Sequence, residues 1–353
     1  MIEDPLMPEE ELADDENGQL YEHLRMVADK GQEPLRIDKF MCEHLQHTSR
    51  NRIQRAADAG FVHVNDKPVK SNYKVRPGDV ITLMLDRPQY DSSIEPEDIP
   101  LNIVYEDSEL MVVNKPAGMV VHPGCGNYHG TLVNAVAWHL RDVPGYNPND
   151  PEVGLVHRID KDTSGLLVVA KTPIAKARLG LQFFTKTTHR SYNALVWGNF
   201  AEDEGRIEGN IGRDPKDRLR MAVFPPGSET GKPAVTHYRV LQRFGYVTLV
   251  ECILETGRTH QIRAHMKHIG HPLFSDERYG GSEILRGERC GSYQQFVRNC
   301  FKTCPRQALH AKTLGFIHPQ TGKQMDFTSE LPDDMRVLLE KWQRRQGNDN
   351  ENN

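Results

Sequence analysis

The sequence lacks the patterns that mark several large classes of protein. No apolar run approaches the roughly 20 residues that a membrane-spanning helix needs. The N-terminus is acidic, whereas an export signal is basic and then apolar. Neither a glycine-rich dinucleotide motif nor a phosphate-binding P-loop occurs. We therefore expect a cytoplasmic protein with no membrane segment and no nucleotide cofactor.

Cysteine is scarce, and its positions do not form a metal-binding pattern. The last three cysteines and His310 give C-x9-C-x3-C-x5-H, which contains no CxxC pair. His260, His265 and His268 lie close together, but they do not form HExxH and no glutamate base lies among them. We expect reduced thiols and no metal site.

Charge is unevenly distributed along the 353 residues. The net charge is -5, yet residues 1–34 alone hold 11 acidic and 2 basic residues. The remainder holds 42 basic and 38 acidic residues, a net of +4. An acidic lead-in thus precedes a mildly basic protein, which is compatible with RNA binding.

Residues 35–88 form a basic segment with its own apolar pattern. Ile37, Phe40 and Met41 recur at helical spacing, and Ser49 is placed to cap a second helix. This second helix carries three arginines, and short strands follow it. The pattern is typical of a compact domain that binds the RNA backbone, and equally of a small α/β domain whose basic face is merely solvated. The arginines are Arg50, Arg52 and Arg55.

The most informative stretch is VGLVHRIDKDTSGLLVVAKT, residues 153–172. Leu166 to Ala170 reads as a buried strand, and a polar turn precedes it. His157, Arg158 and Asp160 come just before the turn. Such a cluster at the mouth of a buried strand indicates either an active site or a capped surface turn.

HRIDKDTSGLL resembles the central motif of the RluA-type pseudouridine synthases, HRLD-x-x-T-SG, with Ile159 in place of Leu. The resemblance implies an enzyme that isomerises uridine in RNA, with Asp160 as its catalytic carboxylate. This reaction breaks the N1–C1′ bond and rejoins the base through C5 without redox change or net hydrolysis. It therefore needs no cofactor and no metal.

Further segments extend the resemblance over nearly the whole chain. THRSYNALVWG implies that Tyr192 lines the uracil pocket, and the QIR triplet places an active-site arginine at Arg263. The motif's own Arg158 would fill the space that the flipped base leaves. An arginine paired with Asp160 would lower the pKa of that carboxyl by roughly 1–3 units. The NKPAG loop is expected to pack the core. LRIDKFMCEHL, SRNRIQRAADAGFVHVNDKPV and VRPGDVI resemble the S4 RNA-binding module.

These observations predict an α+β catalytic domain with a mixed or antiparallel sheet, preceded by a small α/β S4 module. We expect disorder, or at most one frayed helix over Tyr21 to Ala28, in residues 1–34. The predicted S4 module covers residues 35–88, the linker 89–100 and the catalytic domain 101–342, with an irregular insertion at 282–307. A disordered tail, 343–353, is expected to follow.

The resemblance is strongest to the RluD-like branch, which acts on large-subunit ribosomal RNA, and we expect a monomer that binds this RNA. Two alternatives stay open: transfer RNA as the substrate, and a non-catalytic RNA-binding protein of S4 type. Asp160 and Asp162 also raise a glycoside hydrolase, whose carboxyls lie roughly 5–9.5 Å apart across a sugar. Two aspartates flanking one lysine in a tight loop rarely both face a pocket, so Asp162 is interpreted as a turn residue.

Overall fold

The computed structural model describes residues 21–45, 48–85, 94–123, 127–143, 146–147, 154–217 and 219–351. The chain divides into two compact units. The smaller comprises residues 1–93 and 124–128, and the larger comprises residues 94–123 and 129–353. The predicted disorder of residues 1–20 lies outside the described residues, as do residues 89–93 of the predicted linker.

The described part of the smaller unit combines two helices with short strands. Its elements are β1 (Tyr21–Val27), β2 (Leu35–Arg36), α1 (Ile37–His44), α2 (Arg50–Asp58), β3 (Val62–Val64), β4 (Lys67–Pro68), β5 (Lys74–Val75) and β6 (Val80–Leu85). One sheet has the order β1-β6-β3-β4, and β2 pairs with β5. The Ser49 side chain accepts a hydrogen bond from the Arg52 backbone N–H, which confirms the predicted cap of α2.

Apolar residues of α1 and α2 fill the core of the smaller unit. Ile37, Phe40 and Met41 are buried against Ile53 of α2 and Leu83 of β6, as the helical spacing predicts. Between β3 and β4 the chain turns at two residues with positive φ, Asn65 and Asp66. Asparagine and aspartate tolerate this left-handed conformation better than other side chains, which explains their presence at this turn.

The larger unit is built on a sheet of eleven described strands. Its elements are β7 (Ile103–Glu106), β8 (Leu110–Lys115), α3 (Leu132–His139), β9 (Gly154–Leu155), β10 (Ser164–Ala170), α4 (Pro173–Phe184), β11 (His189–Trp197), β12 (Glu204–Arg213), β13 (Met221–Phe224), β14 (Lys232–Arg243), β15 (Val247–Leu254), α5 (Gln261–His268), α6 (Gly291–Thr303), β16 (Leu309–Ile317), β17 (Gln324–Thr328) and α7 (Asp333–Glu351). The order is β13-β12-β14-β15-β11-β16-β10-β8-β7, with β17 beside β16 and β9 beside β10. Because β10 and β16 run parallel and the other pairs antiparallel, the predicted mixed sheet is confirmed.

Strand β10 is buried along its whole length, as its apolar run predicts. Alternate residues point to opposite faces of the sheet. Leu167 and Val169 join a cluster that includes α3, whereas Leu166 and Val168 pack toward α4. Helices therefore cover both sides of this strand, and its polar N-terminal end is held by a rigid core.

Three predictions about irregular segments were wrong. Residues 21–27 are strand β1, which pairs with β6, where we expected disorder or a frayed helix. The insertion at 282–307 contains helix α6, whose Tyr293 and Val297 are buried beside Trp342. Helix α7 continues through most of the expected disordered tail, to Glu351. In each case long-range packing organises a sequence whose local pattern is polar or weak.

Candidate active site

A short loop before β10 carries the motif residues, and its successive side chains alternate between exposed and buried. Ile159 is buried in the main apolar cluster, while Arg158 is exposed and Asp160 is partly exposed. His157 accepts a hydrogen bond from the Val168 backbone N–H at 3.1 Å and stacks on Phe183. Burial lowers the pKa of His157 to about 3, so this ring is neutral. His157 therefore ties the loop to the strand that follows it.

Lys115, at the end of β8, holds this loop from one side. Its side chain is wholly buried, and its ammonium donates to the carbonyls of Pro116, Met119 and Lys161 at 2.8–2.9 Å. The Lys161 carbonyl also accepts from the Gly118 backbone N–H. Burial lowers the pKa of Lys115 to about 7, against the opposing charge of Asp162. The NKPAG loop, expected to be a packing element, therefore also fixes the residue after Asp160.

Arg306 holds the same loop from another side. Its Nη1 donates to the Asp162 carbonyl at 2.9 Å, and its Nε and Nη2 donate to the Asp334 carboxylate. Arg306 and Lys115 thus bind two successive carbonyls, those of Lys161 and Asp162. Because buried hydrogen-bond donors with fixed partners allow little movement, the backbone beside Asp160 is preorganised.

Close packing against β16 explains the Ser-Gly of the motif. A Cβ at Gly165 would lie 2.3 Å from the Ala311 carbonyl oxygen, and the φ of Gly165 is +118°. Glycine alone meets both conditions. Ser164 forms a hydrogen bond with His310 Nδ1 at 2.9 Å, and His310 Nε2 contacts Ser329. These contacts fix the position of the turn before β10 relative to the neighbouring strand β16.

Asp160 forms an ion pair with Arg263 of α5. Arg263 Nη1 lies 2.9 Å from Asp160 Oδ2, so the structure pairs the arginine of the QIR triplet with the carboxylate of the central motif. The other edge of the guanidinium donates through Nε and Nη2 to both oxygens of Asp276, at 2.7 and 2.9 Å. Asp276 is fully buried and also accepts from the Tyr279 backbone N–H. This fork holds Arg263 in one orientation and points its remaining nitrogen at Asp160.

Gln261 fixes the start of α5 and hence the position of Arg263. Its Oε1 accepts from the Thr256 hydroxyl and the Arg258 backbone N–H. Its Nε2 donates to the Val235 carbonyl and to the Thr236 hydroxyl. Moving a buried glutamine would break these four hydrogen bonds, which is costly. Gln261 therefore holds the start of α5, and with it Arg263, in a fixed position.

A neutral histidine completes the surroundings of Asp160. His260 has a φ of +53° at the N-cap of α5, and its Nε2 lies 4.0 Å from Asp160 Oδ2. Burial lowers the pKa of His260 to about 4. The Tyr279 hydroxyl accepts from the Met221 backbone N–H and lies 3.1 Å from His260 Nδ1. If the Tyr279 hydroxyl donates to Nδ1, the neutral ring carries its proton on Nε2, toward the carboxylate.

The environment of Asp160 favours its charged form. Burial alone would raise the pKa of this carboxyl, with 23% of the side chain exposed. A protonated His260 would oppose that effect, but this ring is neutral at neutral pH. Together with His260 in its protonated form, the positive charges of Arg263 and, to a smaller extent, Arg158 outweigh burial and hold the pKa of Asp160 below its ordinary value. At neutral pH the positive charge beside Asp160 is that of Arg263 and Arg158. Asp160 is thus a carboxylate at neutral pH, recessed but open to a ligand.

Tyr192 lies on β11 between β15 and β16, opposite Cys252 and Ala311. It is 7% exposed. Burial raises the pKa of its hydroxyl, the positive charge of Arg190 opposes that effect, and the negative charge of Asp160 adds to it. Tyr192 is therefore a neutral phenol close enough to Asp160 to sense its charge.

The structure does not bring the other candidate groups into a site of their own. Arg50 donates to the buried Asp38 at 3.0 Å, Arg52 is half-buried, and Arg55 is exposed on α2. Asp162 lies in the turn, and its carbonyl is bound by Arg306. Cys300 and Cys304 pack in an apolar cluster, where burial raises the pKa of each thiol to about 12. Among the described residues, no group of three or more His, Cys, Asp or Glu is placed to hold a metal ion.

Sequence reasoning missed several residues that shape this site. Asp276 and Tyr279 belong to SDERYG, which directly follows the buried pair Leu273 and Phe274. An aspartate beside a core segment was a weak indication that Asp276 is buried. His260 was considered only as a metal ligand. Arg306 had no local sign, since its partners lie 144 and 28 residues away in the chain.

Comparisons with known proteins agree with this geometry. The sequence profile described as RNA pseudouridylate synthase matches residues 109–268, and the S4 domain profile matches residues 35–81. An "Uncharacterized RNA pseudouridine synthase" of Chlorobaculum parvum is 46% identical over 88% of this chain and 95% of its own length. A "Ribosomal large subunit pseudouridine synthase D" of Nitrosomonas europaea is 44% identical over 87% of this chain and 84% of its own.

The fold also matches a solved structure. "Human RNA Pseudouridylate Synthase Domain Containing 4" superimposes with a TM-score of 0.51, at 23% identity, over 69% of this chain and 93% of that protein. In the part of the chain that the structure describes, no helix is long and apolar enough to cross a membrane. With profile matches to both domains and relatives above 40% identity over most of its length, the chain belongs to the RNA pseudouridine synthase family, in its S4-carrying, RluD-like branch.

Proposed function

We propose that this pseudouridine synthase modifies specific uridines of large-subunit ribosomal RNA in the cytoplasm, as a monomer, with Asp160 as the essential carboxylate. The observation that carries the proposal is the ion pair between Asp160 and Arg263, in which the arginine is itself oriented by Asp276. A relative 44% identical over most of the chain is named for the large ribosomal subunit, which supports the substrate class.

The chemistry requires one ionised carboxylate beside the sugar. The N1–C1′ bond breaks, the uracil turns, a C5–C1′ bond forms, and the C5 proton leaves while N1 gains one. Asp160 either attacks C1′ or takes a proton from C2′, and both routes need the charged form that Arg263 favours. The preorganised loop keeps this carboxylate in place throughout, because Lys115 and Arg306 bind the carbonyls that follow it.

The target base has to leave the RNA stack, at a cost of a few kcal/mol. We assign Tyr192 to stack on the flipped uracil, which recovers roughly 1–3 kcal/mol. Arg158, exposed at the motif loop, is suited to occupy the space that the base vacates. Both assignments follow the family resemblance, and the position of Tyr192 near Asp160 supports the first.

The decisive experiment incubates the purified protein separately with deproteinised large-subunit RNA, small-subunit RNA and transfer RNA. Pseudouridines are then mapped by chemical labelling and primer extension. We expect new pseudouridine in the large-subunit RNA alone. Modification confined to transfer RNA would reassign the substrate, and modification of none would contradict the proposed activity.

The S4 unit is proposed to bind RNA phosphates through the basic face of α2. Its three arginines are not equivalent, because Arg50 also pairs with the buried Asp38. Arg55 is exposed and is the arginine chosen for substitution. Removing one arginine that binds a phosphate lowers the slope of log affinity against log salt by about 0.7–0.9.

We expect Arg55→Gln to weaken binding to ribosomal RNA, and to reduce that slope by the amount due to one phosphate, without altering the thermal unfolding of the protein. Fluorescence anisotropy across a potassium chloride series provides the measurement. Arg25→Gln is the matched control, since Arg25 lies on the same unit and pairs with Glu22. Equal slopes for Arg55→Gln and wild type would exclude α2 as the RNA-binding face.

A further inference from the structure

One buried arginine in the larger unit has no anionic partner among the described residues. Three arginines are buried in this part of the chain: Arg190, Arg263 and Arg306. Arg263 pairs with Asp160 and Asp276, and Arg306 pairs with Asp334. Arg190 is 7% exposed, its enclosed Nε has no hydrogen-bond partner, and no described carboxylate lies within ion-pair distance of it.

The groups around Arg190 are uncharged. Its guanidinium lies 5.3 Å from the centre of the Phe183 ring, which stacks on the neutral His157. A Cβ at Gly257 would lie 2.9 Å from Nη1, so the missing side chain of this glycine makes room for the guanidinium. Aromatic and glycine neighbours solvate a cation weakly, and the enclosed Nε is left without a hydrogen-bond partner.

A second unpartnered polar atom lies two residues earlier. The Thr188 hydroxyl is buried and has no hydrogen-bond partner among the described residues. Thr188 lies directly before β11, whereas Arg190 and Tyr192 stand two residues apart within it, so the side chains of Arg190 and Tyr192 share one side of the strand.

A buried cation without a counter-charge is costly, and the cost is relieved most by an anion. A uracil carbonyl would supply a hydrogen bond but no charge. Arginine and a hydroxyl together are the donors that commonly contact phosphate oxygens in nucleic acids.

We propose that Arg190, assisted by Thr188, binds a backbone phosphate of the RNA beside the nucleotide that Tyr192 receives. This assignment rests on the proposed function, since it takes Tyr192 as part of the uracil pocket. A phosphate at this point would hold the strand on one side of the flipped nucleotide while Asp160 acts on its sugar. Arg190 would then contribute to affinity and to register, and it would not need to take part in the chemistry.

The test uses Arg190→Met in a protein that also carries Asp160→Asn, so that RNA binds without turnover. Removing one charge-assisted hydrogen bond is expected to weaken affinity for large-subunit RNA about ten- to a hundredfold, and to lower the salt slope by about 0.7–0.9. The midpoint of thermal unfolding without RNA should stay the same or rise, because an unpaired buried cation has been removed. Arg336→Met is the matched control, since Arg336 is paired on the surface of α7.

A second arm identifies the phosphate. Synthetic stem-loops around a mapped uridine carry one neutral methylphosphonate linkage at each position in turn. At one position the neutral linkage should weaken binding with Arg190 present and have no further effect with Arg190→Met. Arg190→Lys, which restores charge without the fork, should recover part of the affinity.

Three results would overturn the inference. Unchanged affinity and slope for Arg190→Met would remove Arg190 from the interface. A large loss of stability that Arg190→Lys repairs would make it a structural residue. Equal penalties for every neutral linkage in both proteins would favour a base carbonyl over a phosphate. If the wild-type enzyme forms no pseudouridine in any RNA, the proposed function fails, whereas the binding arm still reports on Arg190.

Discussion

Asp160→Asn is expected to lower the single-turnover rate of pseudouridine formation by at least about 10³-fold, while affinity for the RNA stays nearly unchanged. The amide has the shape of the carboxylate but supplies no charged oxygen, so it can neither attack the sugar nor accept a proton from it. Tritium release from RNA labelled at uridine C5, measured at saturating enzyme, separates this loss from any change in binding.

The structure makes this substitution informative because the backbone around Asp160 is fixed independently of its carboxyl group. Lys115 and Arg306 bind the two carbonyls that follow, and Gly165 packs directly against Ala311. The only described side-chain hydrogen bond that the change affects is the one from Arg263, and the amide oxygen retains a weaker version of it. The variant should therefore fold normally and bind RNA.

Asp162→Asn is the matched control, since it removes the same charge two residues away in the same loop. The negative charge of the Asp162 carboxylate acts on Lys115, and no hydrogen bond to this carboxylate is described. We expect a loss of less than about tenfold. If the two variants lost activity equally, the loop's charge as a whole would matter and Asp160 would have no special role.

The sequence alone predicted those elements and residues that a short stretch of sequence is enough to identify. The apolar run of β10 and the cap at Ser49 follow from periodicity and capping. The family motif brought Asp160, Tyr192 and Arg263 together, and the structure places the first and last 2.9 Å apart. Their catalytic roles stay predictions, which substitutions at Asp160 and Arg263 test.

The rest depended on interactions between distant parts of the chain. Strand β1 has a weak local pattern, and it forms because it pairs with β6 more than 50 residues later. Asp276 reads as an ordinary loop residue until its complete burial against Arg263 is known. Charge burial of this kind has no signature in a single sequence, because the cost is offset by a partner that only the fold supplies.

The second large effect is expected at Arg263. Arg263→Ala leaves the recessed Asp160 without its main counter-charge, so burial then dominates and the pKa of Asp160 rises, by roughly 1–3 units. Since the carboxylate is the reactive form, a higher pKa removes activity as the pH falls. The wild-type rate should not titrate with Asp160 near neutral pH, because its pKa is lowered. The variant should be severely slowed near neutrality, and its residual rate should climb with pH.

Arg263→Lys should lie between alanine and wild type, since it restores the charge but cannot make the fork to Asp276 and the bond to Asp160 at once. Both variants leave Asp276 buried without its bidentate partner. The alanine variant is expected to lose about 3–5 kcal/mol of unfolding free energy on that account. Rates are therefore measured at a temperature where circular dichroism shows each variant folded.

Asp276→Asn separates the electrostatic role of Arg263 from its orientation. This change removes the fork that orients the guanidinium but leaves the positive charge beside Asp160. The rate should fall because the guanidinium of Arg263 is no longer held in one orientation. The rate should not fall further as the pH is lowered (an acid limb in the pH profile), since the pKa of Asp160 is not raised. Single-turnover rates over about pH 5 to 9 for the four proteins give the comparison. An Arg263→Ala rate that equals wild type across that range would remove Arg263 from the catalytic set, and an acid limb shared by Asp276→Asn would assign the effect to lost geometry alone.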